Sequence, residues 1–245
     1  MGRFSSSVPA SGPPVSQDQV PVYNSNPYAA SPGSSGMSNQ MSHEDMQKAM
    51  RLQEMQRSWP TTFPKPVVGL DLDGTINEQI KGYLTDYSQM KYISGSLDAI
   101  RMIRMKGHKL MIISNQAGIT KGLQTQQQVD AINSAMMQDF GNAGIFSIDG
   151  LLYSTSDFRD DLFAKPNIGM FNKARDENRI NWKEGWYVGD SMSDLKAAEK
   201  SGAKPVLVLT GNGRETLDKL ETFANRDLKK KTKVYNNLLE FAYTL

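Results

Sequence analysis

The chain of 245 residues has no cysteine, two histidines, and a net formal charge of only +2, from 28 Lys and Arg against 26 Asp and Glu. Without thiols there are no disulfides and no thiolate zinc site, a composition suited to a reducing compartment. So close a balance of charge creates no global field that would announce a nucleic-acid or membrane partner. Nowhere do 18 apolar residues run together, so no membrane span is expected, and the N-terminus lacks the apolar core of a signal peptide. These absences predict a soluble, cytoplasmic protein. His43 and His108 have no visible chemical partner in the sequence and read as incidental.

What is present begins with a shift in composition. Residues 1–42 are half Ser, Pro and Gly, with Arg3 and Asp18 as their only charges. Such a segment cannot bury enough apolar surface to offset its ordering entropy, so a disordered tail is expected. Within it, Gly2 followed by Ser6 fits the loose N-myristoylation pattern, with no second anchoring signal. Ser42 then caps an expected amphipathic helix over 43–60, in which Met46, Met50, Met55 and Trp59 form an irregular apolar stripe. That helix packs on the body of the protein or docks on a partner, and the tail is a second route to a protein partner.

From residue 61 to 245 the pattern alternates. Apolar runs at 67–70, 109–113, 150–153, 186–188 and 205–209 are separated by helical stretches near 96–106, 125–140, 168–180, 193–201 and 214–223, with a closing helix at 236–244. This alternation predicts an α/β domain, a Rossmann-like three-layer α/β/α arrangement with a mostly parallel sheet and its site at the carboxyl ends of the strands. The basic run from Arg226 to Lys233 reads first as solvated surface, with a phosphate-rich partner as the alternative.

The stretch VVGLDLDGTIN, Val67 to Asn77, organises the rest. Its apolar start is a buried strand that delivers Asp71, and side chains two apart on an extended segment share a face, which aims Asp73 into the same space. Gly74 lets the chain turn away. Two carboxylates this close repel unless a cation sits between them or one is held protonated as an acid. A calcium loop is excluded, because Ile76 stands where Gly is needed and Lys81 where an acid is needed.

Other strand ends add to this pair. After the second strand come Ser114 and Asn115, suitable donors to phosphate oxygens. Lys165 precedes Pro166, which keeps it extended and able to offset negative charge. The fourth strand ends at Asp190, with Asp194 one helical turn on. Asp190 can ligate a cation while Asp194 acts through water or orients the lysine; as plain structure, Asp190 would be a helix cap. In a parallel sheet all these ends converge on one crevice.

At this point the sequence resembles the haloacid dehalogenase superfamily of phosphotransferases, through DLDGT (Asp71 to Thr75), Ser114, Lys165 and GDSMSD (Gly189 to Asp194). Its closer likeness is to the small phosphatases of heptose bisphosphate and histidinol phosphate. It runs through YISGSLDAIRMIRMKG (92–107), ISNQAGITKG (113–122), KPNIGMF (165–171) and YVGDSMSDLKAAEKSGAKPVLVLTG (187–211). The resemblance implies that Asp71 attacks phosphorus to form an aspartyl-phosphate and that Asp73 serves as general acid and then base. It implies Mg2+ held by the Asp71 carboxylate, the Asp73 backbone carbonyl and Asp190. Ser114, Asn115 and Lys165 would bind the phosphoryl group, with Asp194, Gly74 and Thr75 in support.

Two departures stand out against those relatives. The cysteine-rich zinc loop they often carry before the lysine is replaced by the shorter YSTSDFRDDLFAK (153–165), and Ala164 stands where Arg is common. No zinc is expected, and the substrate is not inherited. Only about 38 residues separate Thr75 from Ser114 and about 50 separate Ser114 from Lys165, which leaves no room for a large cap domain. Specificity would then come from loops such as Gln79 to Tyr92, a partner subunit or a bulky substrate. The leading expectation is a magnesium-dependent phosphomonoesterase of a small metabolite such as a sugar phosphate. A polynucleotide 3′-phosphatase, with a nucleic-acid end as substrate, is the alternative within the same chemistry. A non-catalytic binding or structural module is the alternative of another class.

Overall fold

The computed structural model describes residues 22–23, 65–80, 82–156 and 161–245. The expected helix over 43–60 lies outside them, as does the tail except for a two-residue strand, β1 (Val22–Tyr23), paired antiparallel with Leu151 and Leu152. Six parallel strands carry the body: β2 (Lys65–Leu70), β3 (His108–Asn115), β4 (Gly150–Ser154), β5 (Trp186–Gly189), β6 (Lys204–Val208) and β7 (Lys233–Tyr235). Their spatial order is β1-β4-β3-β2-β5-β6-β7. The chain steps outward from β2 through β3 to β4, then crosses back and continues from β5 on the other side. The reversal opens a crevice at the carboxyl ends of β2 and β5, where ligands bind in sheets of this kind.

Strands covered on both faces need apolar side chains of both parities, and these have them. Val68, Leu70, Leu110, Ile112, Leu151 and Tyr153 point to one core, which α1 (Ser96–Met105), α2 (Gln126–Asn142) and α7 (Leu238–Tyr243) cover. Val67, Met111, Ile113, Leu152 and Tyr187 point to the other, beneath α3 (Gly169–Asn178) and α4 (Met192–Ser201). Two shorter helices, α5 (Gly213–Leu220) and α6 (Arg226–Lys231), close a small leucine cluster of Leu195, Leu207, Leu220 and Leu228 beside β6. Between Thr75 and the start of β3 the described chain holds only loops, one 3-10 turn (Tyr87–Gln89) and α1. Among the described residues no helix is long and apolar enough to cross a membrane.

Sequence and structure differ at three places. The basic run is a helix followed by a sixth parallel strand, β7, which three residues with two exposed side chains could not announce by alternation. Three of its lysines face acids: Lys229 with Glu221, Lys230 with Asp227 and Lys231 with Glu199. Asp190 is not a helix cap; Ser191 caps α4, and Asp194 completes the capping box. His108 is not incidental. It is buried, its Nδ1 lies 2.7 Å from the Pro66 carbonyl, and its ring meets the edge of Trp186. A carbonyl only accepts, so Nδ1 carries the proton, and Nε2 is left buried without a partner.

Candidate active site

The last four residues of β2 are buried, and the Asp71 N–H still donates to the Val188 carbonyl of β5 at 2.8 Å. The first carboxylate therefore leaves the sheet at the switch point. Gly74 follows with φ 85, and a Cβ there would sit 2.2 Å from Asp190 Oδ2. Only a glycine lets the β2 turn pass this close to the acid at the end of β5. The same holds for Gly211 after β6, whose Cβ would lie 2.2 Å from the same oxygen. The Asn212 N–H donates to Asp190 Oδ2 at 2.6 Å, and the Thr210 hydroxyl donates to the Gly74 carbonyl at 2.6 Å.

Asp71, Asp190 and Asp194 converge, with one oxygen of each within 4.8 Å of the others. Lys165 reaches them from the loop before α3. Its ammonium lies 2.6 Å from Asp71 Oδ1 and 2.7 Å from Asp194 Oδ1, and it is buried with both acids. Burial alone would push the lysine down, but Asp194 and Asp71 more than reverse this and hold it well above its ordinary value. Asp71 is raised well above the usual carboxylate range by burial and by Asp194, against the opposing pull of Lys165. Asp190 is pushed up to about 7 by burial and then by Asp194.

Asp73 points elsewhere. Its carboxylate accepts from Asn77 Nδ2 at 2.8 Å and from Gln116 Nε2 at 3.0 Å, and burial raises its pKa. The two neighbouring acids of one turn thus have different surroundings, the first ion-paired and the second amide-bonded. Ser114 is buried, and its Oγ accepts from Gln116 Nε2 at 2.9 Å. The Asn115 side chain is committed to the lysine loop: Oδ1 accepts from the Lys165 N–H at 2.9 Å and Nδ2 donates to the Lys165 carbonyl at 3.0 Å. Its amide fixes the lysine loop and is not free for a phosphate oxygen. Thr75 is fully buried in the turn.

Asp71, Asp73, Ser114, Asn115, Lys165 and Asp190 line one cleft of about 400 Å³, walled on the far side by Gln79, Ile80, Tyr83 and Leu84. Sequence reasoning missed Asn77, Gln116 and the Gly211–Asn212 turn. That turn follows β6, so the rule of strand ends reaches it once β6 is treated like its neighbours. Asn77 and Gln116 are ordinary loop amides in the sequence, and no pattern marks them.

The described trio suits a hard divalent cation. Three buried carboxylates face one ammonium, which leaves negative charge uncompensated, and oxygen is the ligand that Mg2+ prefers. Residues 162–241 match the family model of HAD-hydrolase-like proteins. The D-glycero-beta-D-manno-heptose-1,7-bisphosphate 7-phosphatase of Neisseria meningitidis is 30% identical over 174 residues, covering 71% of this chain and 90% of the relative. Its counterpart from Escherichia coli is 34% identical over 156 residues, 60% of this chain and 80% of the relative. Among solved structures, the D,D-heptose 1,7-bisphosphate phosphatase of B. bronchiseptica, in complex with magnesium and phosphate, superimposes with a TM-score of 0.67 at 26% identity. That match covers 74% of this chain and 97% of the other. The chain belongs to the haloacid dehalogenase superfamily, in the group of the heptose-bisphosphate phosphatases, and is a phosphoric monoester hydrolase.

Proposed function

We propose that this phosphatase hydrolyses the phosphomonoester of a small sugar phosphate, of the heptose-bisphosphate kind acted on by its relatives, through an aspartyl-phosphate on Asp71 and with Mg2+ as cofactor. The observation that carries this reading is the placement of Lys165 between Asp71 and Asp194 at the foot of the cleft, beside an amide-bonded Asp73. Asp71, which the ammonium and a bound cation together would hold as the carboxylate, attacks phosphorus, forming the new P–O bond as the bond to the leaving oxygen breaks. Asp73, whose burial favours its protonated form, gives its proton to that oxygen. As a carboxylate it then takes a proton from the water that attacks the acyl phosphate, which returns free Asp71 and inorganic phosphate.

Asp71, Asp190 and the backbone carbonyl of Asp73 would hold the magnesium, with Asp194 beside them. The ion would neutralise charge on the transferring phosphoryl oxygens. Ser114 and Lys165 bind those oxygens, while Asn115 and Asp194 hold the lysine in place. The small-molecule substrate is preferred to a polynucleotide end because lysines of the basic run are engaged by Glu221, Asp227 and Glu199. The test is magnesium-dependent phosphate release from an aryl phosphate and from a panel of sugar phosphates, with Asp71→Asn as control. Release that survives Asp71→Asn, or none from any ester by the folded protein, sinks the proposal.

A further inference from the structure

The motif lysine has a fourth partner that the reaction above does not use. Lys165 Nζ, besides its two acids, lies 2.9 Å from the Ile113 carbonyl and 3.0 Å from the Tyr187 hydroxyl. The hydroxyl in turn donates to that same carbonyl at 2.6 Å. An ammonium has three protons. They are donated to Asp71 Oδ1, the Ile113 carbonyl and the Tyr187 hydroxyl, while Asp194 pairs with the ammonium by charge at 2.7 Å. A lysine stem has four rotatable bonds, and each contact at its head adds to the restraint on it.

The chain makes a specific place for Tyr187. It pairs with Gly69 across β5 and β2, and a Cβ on Gly69 would meet the tyrosine ring at 2.6 Å and the Trp182 ring at 2.8 Å. Glycine weakens a central strand, so its presence opposite a buried tyrosine marks a close approach. Phe171 and Trp182 hold the ring edge-on, with centroids 4.8 Å and 6.4 Å from it. The ring is fully buried, yet its hydroxyl emerges at the catalytic lysine on the far side of the core. A phenylalanine would fill the same space, so packing alone does not require the oxygen.

We propose that Tyr187 is a positioning residue for catalysis: its hydroxyl, anchored on the Ile113 carbonyl, fixes the Lys165 ammonium between Asp71 and Asp194. The inference rests on the phosphatase reading of this site. Because the lysine is held rather than charged by the tyrosine, the effect falls on the step in which charge moves. Tyr187→Phe should lower kcat on an aryl phosphate about tenfold, the worth of one hydrogen bond to a charged group, with KM within twofold of the parent.

Orthovanadate, which adopts the five-coordinate geometry of the transferring phosphoryl group, supplies a binding measurement that needs no turnover. Its affinity, measured by calorimetry with magnesium present, should weaken about tenfold in Tyr187→Phe while that of inorganic phosphate stays within twofold. In a Lys165→Met background Tyr187→Phe should cause no further loss, because the tyrosine acts through the lysine. An unchanged kcat, an equal loss of phosphate and vanadate affinity, or an additive loss in the Lys165→Met background would overturn the proposal. If the parent releases no phosphate that depends on Asp71, the functional reading fails instead, and the vanadate comparison still judges the role of Tyr187.

Discussion

Asp190 offers a stability experiment whose sign can be worked from the structure. Its carboxyl is raised from 3.8 to about 7, first by burial and then by Asp194, with the Asn212 N–H pulling the other way. Between those two values the folded protein binds more protons at this position than the unfolded chain does, so the metal-free fold weakens as pH rises. The penalty is absent below 3.8 and complete above about 7. A shift of about three units at 1.36 kcal/mol each amounts to roughly 4 kcal/mol. For a domain of this size that corresponds to roughly 8–16 °C in Tm. Asp190→Asn keeps the shape and removes the charge. Melting curves of both proteins in EDTA, from pH 5 to pH 8, should therefore diverge, the variant becoming the more stable as pH rises. Added Mg2+ should restore the parent at pH 8 and leave the variant nearly unmoved if, as proposed, the ion is held by this carboxylate in the folded parent. A difference between parent and variant that is the same at pH 5 and pH 8 would refute the argument.

Three further outcomes are expected. Asp73→Asn removes the titrating proton and sets an NH2 against one of the two amides that donate to Asp73, so it should lower kcat by about 10²-fold or more with a modest loss of Tm, checked by steady-state kinetics and melting. Gly211→Ala should cost most of the activity, since the new Cβ meets Asp190 Oδ2 at 2.2 Å; full kcat in the purified variant would show that the turn can shift. Burial lowers the His108 pKa from 6.5, so the folded protein resists protonation and stability is lost as pH falls below 6.5 toward the folded value. His108→Phe should remove that part of the acid sensitivity, read as a smaller drop in Tm between pH 7 and pH 5 than the parent shows.

The sequence alone determined the layered α/β architecture and the ring of chemistry at its strand ends. Buried parallel strands must be apolar on both faces, and the residue that follows such a run has one exit, toward the crevice; Asp71, Ser114 and Asp190 were legible for that reason. Local order also foretold that Gly74 would turn the chain, although not that its missing Cβ makes room for an acid more than a hundred residues away. Only the tertiary structure decided the partners. Asn77 and Gln116 bind Asp73, the Asn115 amide serves the lysine loop, and Tyr187 meets Lys165 through a core that Gly69 opens. It also turned the edge of the basic run into β7 and gave His108 a carbonyl to hold. The physical reason is one of range. Periodicity and turn chemistry act over a few neighbouring residues, whereas a hydrogen bond between distant segments depends on the register and distance that packing sets.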